Sequence, residues 1–140
     1  MKVPELSIAI PFYNEEKNVE NTIKDIVETL EPSKVDYEII AVNNGSWDKT
    51  GELLKNIAEK NKRVKIHTIN KNIGYGFGIL SGLKKCSGKY VGYMDGDLEV
   101  LPSDLIRIYK KIKSNGSDLC KGLRDARSSR VLRKIASVFY

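Results

Sequence analysis

The sequence predicts a three-layer α/β/α domain on a mainly parallel β-sheet. Short apolar runs of strand length alternate with amphipathic helical stretches at least four times along the chain. That alternation produces a parallel sheet covered by helices on both faces. The runs end in polar clusters at residues 11–15, 43–48, 70–76 and 95–99, and ligands of open α/β sheets bind outside the carboxyl ends of strands. With 140 residues, 41% of them hydrophobic, the chain is long enough for one compact core.

Leu6-Ser7-Ile8-Ala9-Ile10 reads as a first buried strand stopped by Pro11. Val19, Ile23, Ile26, Val27 and Leu30 then form one helical stripe. Glu15 and Glu16 suit the positive end of that helix, and Pro32 closes it. Tyr37–Val42 is a second strand running into Asn43-Asn44-Gly45-Ser46, with Asp48 as candidate N-cap of a helix bearing Leu53, Leu54, Ile57 and Ala58. Val64–Ile69 is a third strand, followed by a glycine-rich loop from Asn72 to Gly78 and a helix from about Gly78 to Lys85. Tyr90–Met94 is a fourth strand. Pro102 suits the first turn of a helix with Leu105, Ile108, Tyr109 and Ile112 on its stripe. Asp118–Lys121 is expected as a short strand, and Ser128 or Ser129 as the cap of a last helix with Leu132, Ile135 and Phe139.

Composition narrows the chemistry. Two cysteines, Cys86 and Cys120, are too few for a disulfide framework or a thiolate zinc site. A single histidine, His67, excludes a multi-histidine metal centre. No apolar stretch reaches membrane-span length. The first residues lack a signal-peptide core, which sets a cytoplasmic expectation. Residues 1–106 carry 14 Lys and Arg against 16 Asp and Glu, whereas residues 107–140 carry 10 against 2. A basic end on a near-neutral body fits an anionic partner or a solvated helix face. Few aromatics and no recognisable motif there speak against nucleic acid.

Asp95-Gly96-Asp97 is the sharpest chemical signal. Residues two apart on an extended segment point the same way, so both carboxylates converge on one point. Such a pair suits Mg2+ or Mn2+, which keeps water and takes phosphate oxygens as further ligands. Glu99 is a candidate third ligand or supporting group. A solvated Asp-Gly turn is the plainer alternative. Asn43 and Asn44 offer donors and acceptors for a nucleobase edge or ribose diol, against an Asx turn with no ligand. Gly74, Gly76 and Gly78 fail the dinucleotide spacing because position 79 is Ile; a loop passing close to something is the plainer reading. Trp47 is placed to cover a ligand or to pack. For His67, inside a strand, a structural role is expected.

Taken in order, Pro11-Phe12-Tyr13-Asn14-Glu15-Glu16, Val42-Asn43-Asn44-Gly45-Ser46 with Asp48 and Thr50, Asn72-Ile73-Gly74 and Asp95-Gly96-Asp97 resemble family 2 glycosyltransferases of the GT-A fold. The subgroup most similar is the dolichyl- or polyprenyl-phosphate mannosyl- and glucosyltransferases. The resemblance implies a Rossmann-like nucleotide-diphospho-sugar transferase fold and transfer of a sugar to an acceptor by metal-assisted inverting displacement. It assigns donor binding to Pro11, Tyr13, Glu15, Val42, Asn44, Asp95, Gly96, Asp97, Arg124 and Arg133. Asp95 and Asp97 are the implied catalytic pair, and Asp95, Asp97 and Glu99 the implied ligands of Mg2+ or Mn2+.

Two departures from the family pattern stand out. The usual Asp-Asp-Gly-Ser turn has both acids replaced by amides, which bears on base preference. Family members also continue past Tyr140, so residues 1–140 are expected to form one donor-binding domain without the acceptor part. No general base is evident in the chain. A polyprenyl phosphate acceptor needs none, because its phosphate is already anionic, and the basic end from Arg107 to Lys134 suits an anionic membrane surface. Peripheral membrane association and self-association through Leu132, Ile135 and Phe139 are the corresponding expectations. A non-catalytic nucleotide-sugar-binding fragment, completed by a further segment or partner chain, is the alternative.

Overall fold

A computed structural model describes residues 3–122. The elements are β1 (Leu6–Phe12), α1 (Val19–Leu30), a 3-10 turn (Glu31–Ser33), β2 (Tyr37–Asn44), α2 (Thr50–Lys60), β3 (Val64–Ile69), α3 (Tyr75–Leu83), β4 (Tyr90–Tyr93) and α4 (Pro102–Asn115). The four strands form one parallel sheet in the order β3-β2-β1-β4. The described residues up to Arg107 form one compact unit, and those from Ile108 on belong to a second. The sheet and helices α1 to α3 belong to the first unit.

Strand order fixes where a ligand can enter. From β1 the chain steps outward to β2 and β3, then crosses back to place β4 on the other side of β1. With right-handed crossovers that reversal puts α3 on the face opposite α1 and α2. Alternation along the strands agrees: Ala9 and Val42 face Gly82 of α3, whereas Phe12, an odd number of residues from Ala9, lies against Gly96 beneath α1. Ile8, Ala9, Ile10, Ile39, Ala41 and Val42 have no exposed surface, as central strands covered on both sides require. Gly82 lets α3 come close, since a Cβ there would sit 2.7 Å from Val42 Cγ2 and 3.0 Å from Ala9 Cβ.

Three boundaries differ from expectation for physical reasons. β1 runs through Pro11 to Phe12. Glu5 and Ala9 carbonyls accept from the Tyr90 and Met94 amides, so Pro11 faces the β4 side too, and there the ladder has already ended at Ala9 and Tyr93. The proline ring therefore removes no sheet bond. α3 starts at Tyr75, three residues early, so Gly76 and Gly78 are helical and not part of a loop. Residues 118–121 form no strand; Leu119 there is 83% exposed. The expected helix from Ser128 with Leu132, Ile135 and Phe139 lies outside the described residues. Among the described residues no helix is long and apolar enough to cross a membrane.

Candidate functional site

The sheet order reverses between β1 and β4, and a cavity of about 380 Å3 opens at the carboxyl ends of these two strands. This is where the fold class places ligands. It is lined by Pro11 and Phe12 at the end of β1, Tyr13 and Glu15 in the loop that follows, and Asp95, Gly96 and Asp97 after β4. Asn44, Asn72 and Tyr75 complete the lining.

The loop after β1 is laced to the turn before α2. Ser46 Oγ accepts the Asn14 amide (3.1 Å), Thr50 Oγ1 that of Glu15 (2.8 Å) and Asp48 Oδ2 that of Glu16 (3.1 Å). In return Asn14 Oδ1 accepts the Trp47 amide (3.0 Å) and Glu16 Oε2 that of Lys49 (3.1 Å). Asn14 sits in the left-handed region at φ 54°, which asparagine tolerates better than most residues. Asp48 Oδ1 also accepts the Thr50 amide, but the N-cap of α2 is Lys49 and not Asp48 as expected, so this bond braces the turn before the helix. Burial pushes the Asp48 carboxyl up, but bonds from the Thr50 hydroxyl and the Thr50 and Glu16 amides outweigh that and hold it below the usual range.

Alternation splits the two asparagines at the end of β2. Asn43 faces α2, where a Cβ at Gly51 would meet its Nδ2 at 2.5 Å. Its Oδ1 accepts the Ser46 amide at 3.1 Å, bracing the turn that follows β2. Asn44 faces α3, donates from Nδ2 to the Gly74 carbonyl at 3.3 Å and lines the cavity. Its Oδ1 is buried without a hydrogen-bond partner among the described residues. Such an acceptor costs about 1–3 kcal/mol if left unmade, so it is the one amide of the pair chemically prepared for a donor group.

The acidic strand end is pinned from α1. Thr22, fully inside, donates its hydroxyl to the Gly96 carbonyl at 2.9 Å. Asp97 Oδ1 accepts the Glu99 amide at 3.0 Å around Leu98, which adopts φ 57°, a strained setting for leucine. Tyr75 donates its hydroxyl to Asp95 Oδ1. A Cβ on Gly96 would lie 2.8 Å from both Phe12 Cδ1 and the Pro11 carbonyl oxygen. Gly96→Ala is therefore expected to cost about 1–3 kcal/mol and to displace both carboxylates; chemical unfolding measures the first, and cation titration the second.

Seven expected donor residues line the cavity: Pro11, Tyr13, Glu15, Asn44, Asp95, Gly96 and Asp97. Val42 does not; it is wholly buried under Gly82 of α3. Glu99 is exposed and outside the lining, and among the described residues no three acidic, histidine or cysteine side chains gather into a metal cluster. Arg124 and Arg133 lie outside the described residues. Phe12, Asn72 and Tyr75 line the cavity without having been singled out for it. Trp47 is 81% exposed and neither packs nor reaches the lining. His67 Nε2 lies 2.6 Å from Ser81 Oγ on α3, and burial, then the Lys85 charge, push its pKa down. This pair joins β3 to α3, away from the cavity lining.

Fold and cavity define a class: open parallel α/β domains that take a ligand at the switch point of the sheet. Within it the chain belongs to glycosyl transferase family 2, whose model matches residues 7–137. The chain is 36% identical over 138 residues to an uncharacterized glycosyltransferase of Synechocystis sp., covering 97% of this chain and 43% of that protein. It is 28% identical over 137 residues to an undecaprenyl-phosphate 4-deoxy-4-formamido-L-arabinose transferase of Photorhabdus laumondii, covering 97% and 42%. Among solved structures, a mannosyltransferase from Pyrobaculum calidifontis in complex with GDP-Man and Mn2+ has a TM-score of 0.67 at 22% identity, over 79% of this chain and 33% of that one. That likeness bears out the GT-A fold. The chain spans about two fifths of the length of these curated relatives.

Proposed function

We propose that this domain holds a nucleoside-diphosphate sugar together with Mg2+ or Mn2+ at the switch point, as the donor half of a glycosyltransferase acting on a polyprenyl phosphate. The observation that carries the reading is that Asp95 and Asp97 line the same cavity as Tyr13 and Glu15 of the loop after β1. Two hard carboxylates, with no group of three ligating side chains among the described residues, fit Mg2+ or Mn2+, which is typically held by one or two carboxylates with phosphates and water completing the shell. Asp95 and Asp97 would hold the ion; when bound it supplies positive charge against the leaving diphosphate. Asn44 Oδ1 offers an acceptor to a base N–H or ribose hydroxyl. Tyr13 and Glu15 would border the donor from a loop that the lacing to α2 ties down, with Pro11 beside them at the end of β1.

The acceptor assignment rests on chemistry and on a relative. The cavity lining contains no histidine, and a phosphate monoester needs no base to become a nucleophile. A relative over 97% of this chain carries undecaprenyl-phosphate in its name. Attack by a phosphate oxygen at the anomeric carbon would release the nucleoside diphosphate with the bonding pair and give a glycosyl phospholipid.

Titration calorimetry with UDP and GDP, with and without Mn2+, tests the reading. Binding is expected to need Mn2+ and to weaken at least about 100-fold in Asp97→Ala, beyond the 10–100-fold usual for supporting groups around a metal. Metal-independent binding that Asp97→Ala leaves unchanged would sink it.

A further inference from the structure

We infer that Tyr75 is a positioning residue that orients the Asp95 carboxylate toward its cation, an inference that rests on the metal site proposed above. Its hydroxyl donates to Asp95 Oδ1 across the cavity mouth, from the first residue of α3 to the end of β4. The side chain is 52% exposed, so burial does not force this bond; water could satisfy the hydroxyl. A carboxylate that binds a cation through one oxygen leaves the other to accept a hydrogen bond, and such bonds fix ligand direction. A neutral phenol does this without adding a positive charge that would repel the ion.

The turn before Tyr75 is built to aim it. Asn72 Oδ1 accepts the Gly74 amide at 2.8 Å. Gly74 takes φ 116°, a conformation open to glycine and strained for residues with a side chain. Its carbonyl accepts from Asn44 Nδ2 at 3.3 Å and from the Gly78 amide at 3.2 Å. Gly78 permits this approach, since a Cβ there would lie 2.8 Å from Asn44 Nδ2. The buried Asn44 amide thus sets the start of α3, and the start of α3 sets Tyr75. An aspartate at position 44 would present no N–H to the Gly74 carbonyl, which gives the amide in this chain a positioning role beside any contact with a ligand.

The test is Mn2+ binding by the intact chain, read by loss of the free-ion electron paramagnetic resonance signal, with UDP added in a second series. Tyr75→Phe is expected to weaken Mn2+ binding about 10-fold with a thermal midpoint unchanged from wild type. In an Asp95→Asn background the same step is expected to have no effect, because the carboxylate it orients is gone. Tyr75→Phe that binds Mn2+ as tightly as wild type, or tighter, overturns the inference and leaves the metal site standing. An equal loss in the Asp95→Asn background overturns it as well, placing the effect elsewhere. A wild-type chain that takes no Mn2+ with or without UDP overturns the proposed metal site and this inference together.

Discussion

Glu38→Ala is expected to cost the fold about 3–5 kcal/mol, although Glu38 lies near the start of β2, far along the strand from the cavity. The residue is 3% exposed in a strand buried along its whole length. Its Oε1 accepts the Ser7 hydroxyl at 2.5 Å and the Ser87 amide and hydroxyl, each at 2.8 Å; its Oε2 accepts Lys65 Nζ at 2.6 Å. Ser7 Oγ in turn accepts the Gly88 amide at 2.7 Å. One carboxylate therefore ties β1, β2, β3 and the loop leading into β4. Removing it leaves the Ser7 and Ser87 donors without their acceptor. Burial by itself pushes the carboxyl up, but the bonds from Lys65, Ser7 and Ser87 together hold the pKa at about 2, against 4.5 for the free group.

Because the folded-state pKa is the lower one, the stabilisation is fully present above pH 4.5 and is lost as pH falls toward about 2. Its size at neutral pH is about 3 kcal/mol, from roughly 1.4 kcal/mol per pKa unit. Urea unfolding between pH 6 and 2 on wild type and Glu38→Gln provides the measurement. The two stabilities are expected to converge with acidification. Parallel profiles would show that the network contributes no net stability.

Gly45→Ala is expected to be nearly as damaging, about 3–5 kcal/mol, from left-handed backbone strain added to overpacking. Gly45 has φ 74°, and its Cβ would lie 2.3 Å from the Asn72 amide nitrogen and 2.8 Å from the Lys71 carbonyl carbon. Both obstacles are backbone, so no rotamer change relieves them. Gly116 provides the control: its φ is 65° but nothing lies within 4 Å of a Cβ there. Gly116→Ala should carry only the conformational term, about 1–2 kcal/mol. Equal losses for the two variants would show that the contact with Asn72 yields without cost.

The alternation of the elements, the single functional rim and seven of the lining residues were legible because each depends on local pattern. Periodicity marks the strands and helices, and the polar clusters mark the strand ends. What escaped depends on partners distant in sequence. Pro11 reads as a stop until one knows that β4 has left that side of β1. Three glycines read as a loop until Gly78 and Gly82 are seen bringing a helix against Asn44 and the sheet. Tyr75 follows the Asn72-Ile73-Gly74 motif without belonging to it; the bond that singles it out reaches a carboxylate 20 residues on. Nothing near Glu38 in the sequence marks it; only Ser7, Lys65 and Ser87 together explain its burial.

The lacing between residues 14–16 and 46–50 has a consequence for engineering and for divergence. Five crossed bonds consume side chains from one loop and amides from the other. Exchanging one loop alone removes the acceptors that hold its counterpart, most of all Thr50 Oγ1 for the Glu15 amide and Ser46 Oγ for that of Asn14. Residues 72–75 and 95–97 offer no easier route, being held by Gly74 at φ 116°, the space Gly96 leaves against Phe12 and the bond from Tyr75 to Asp95. A library built to change donor choice should therefore vary the two laced loops together.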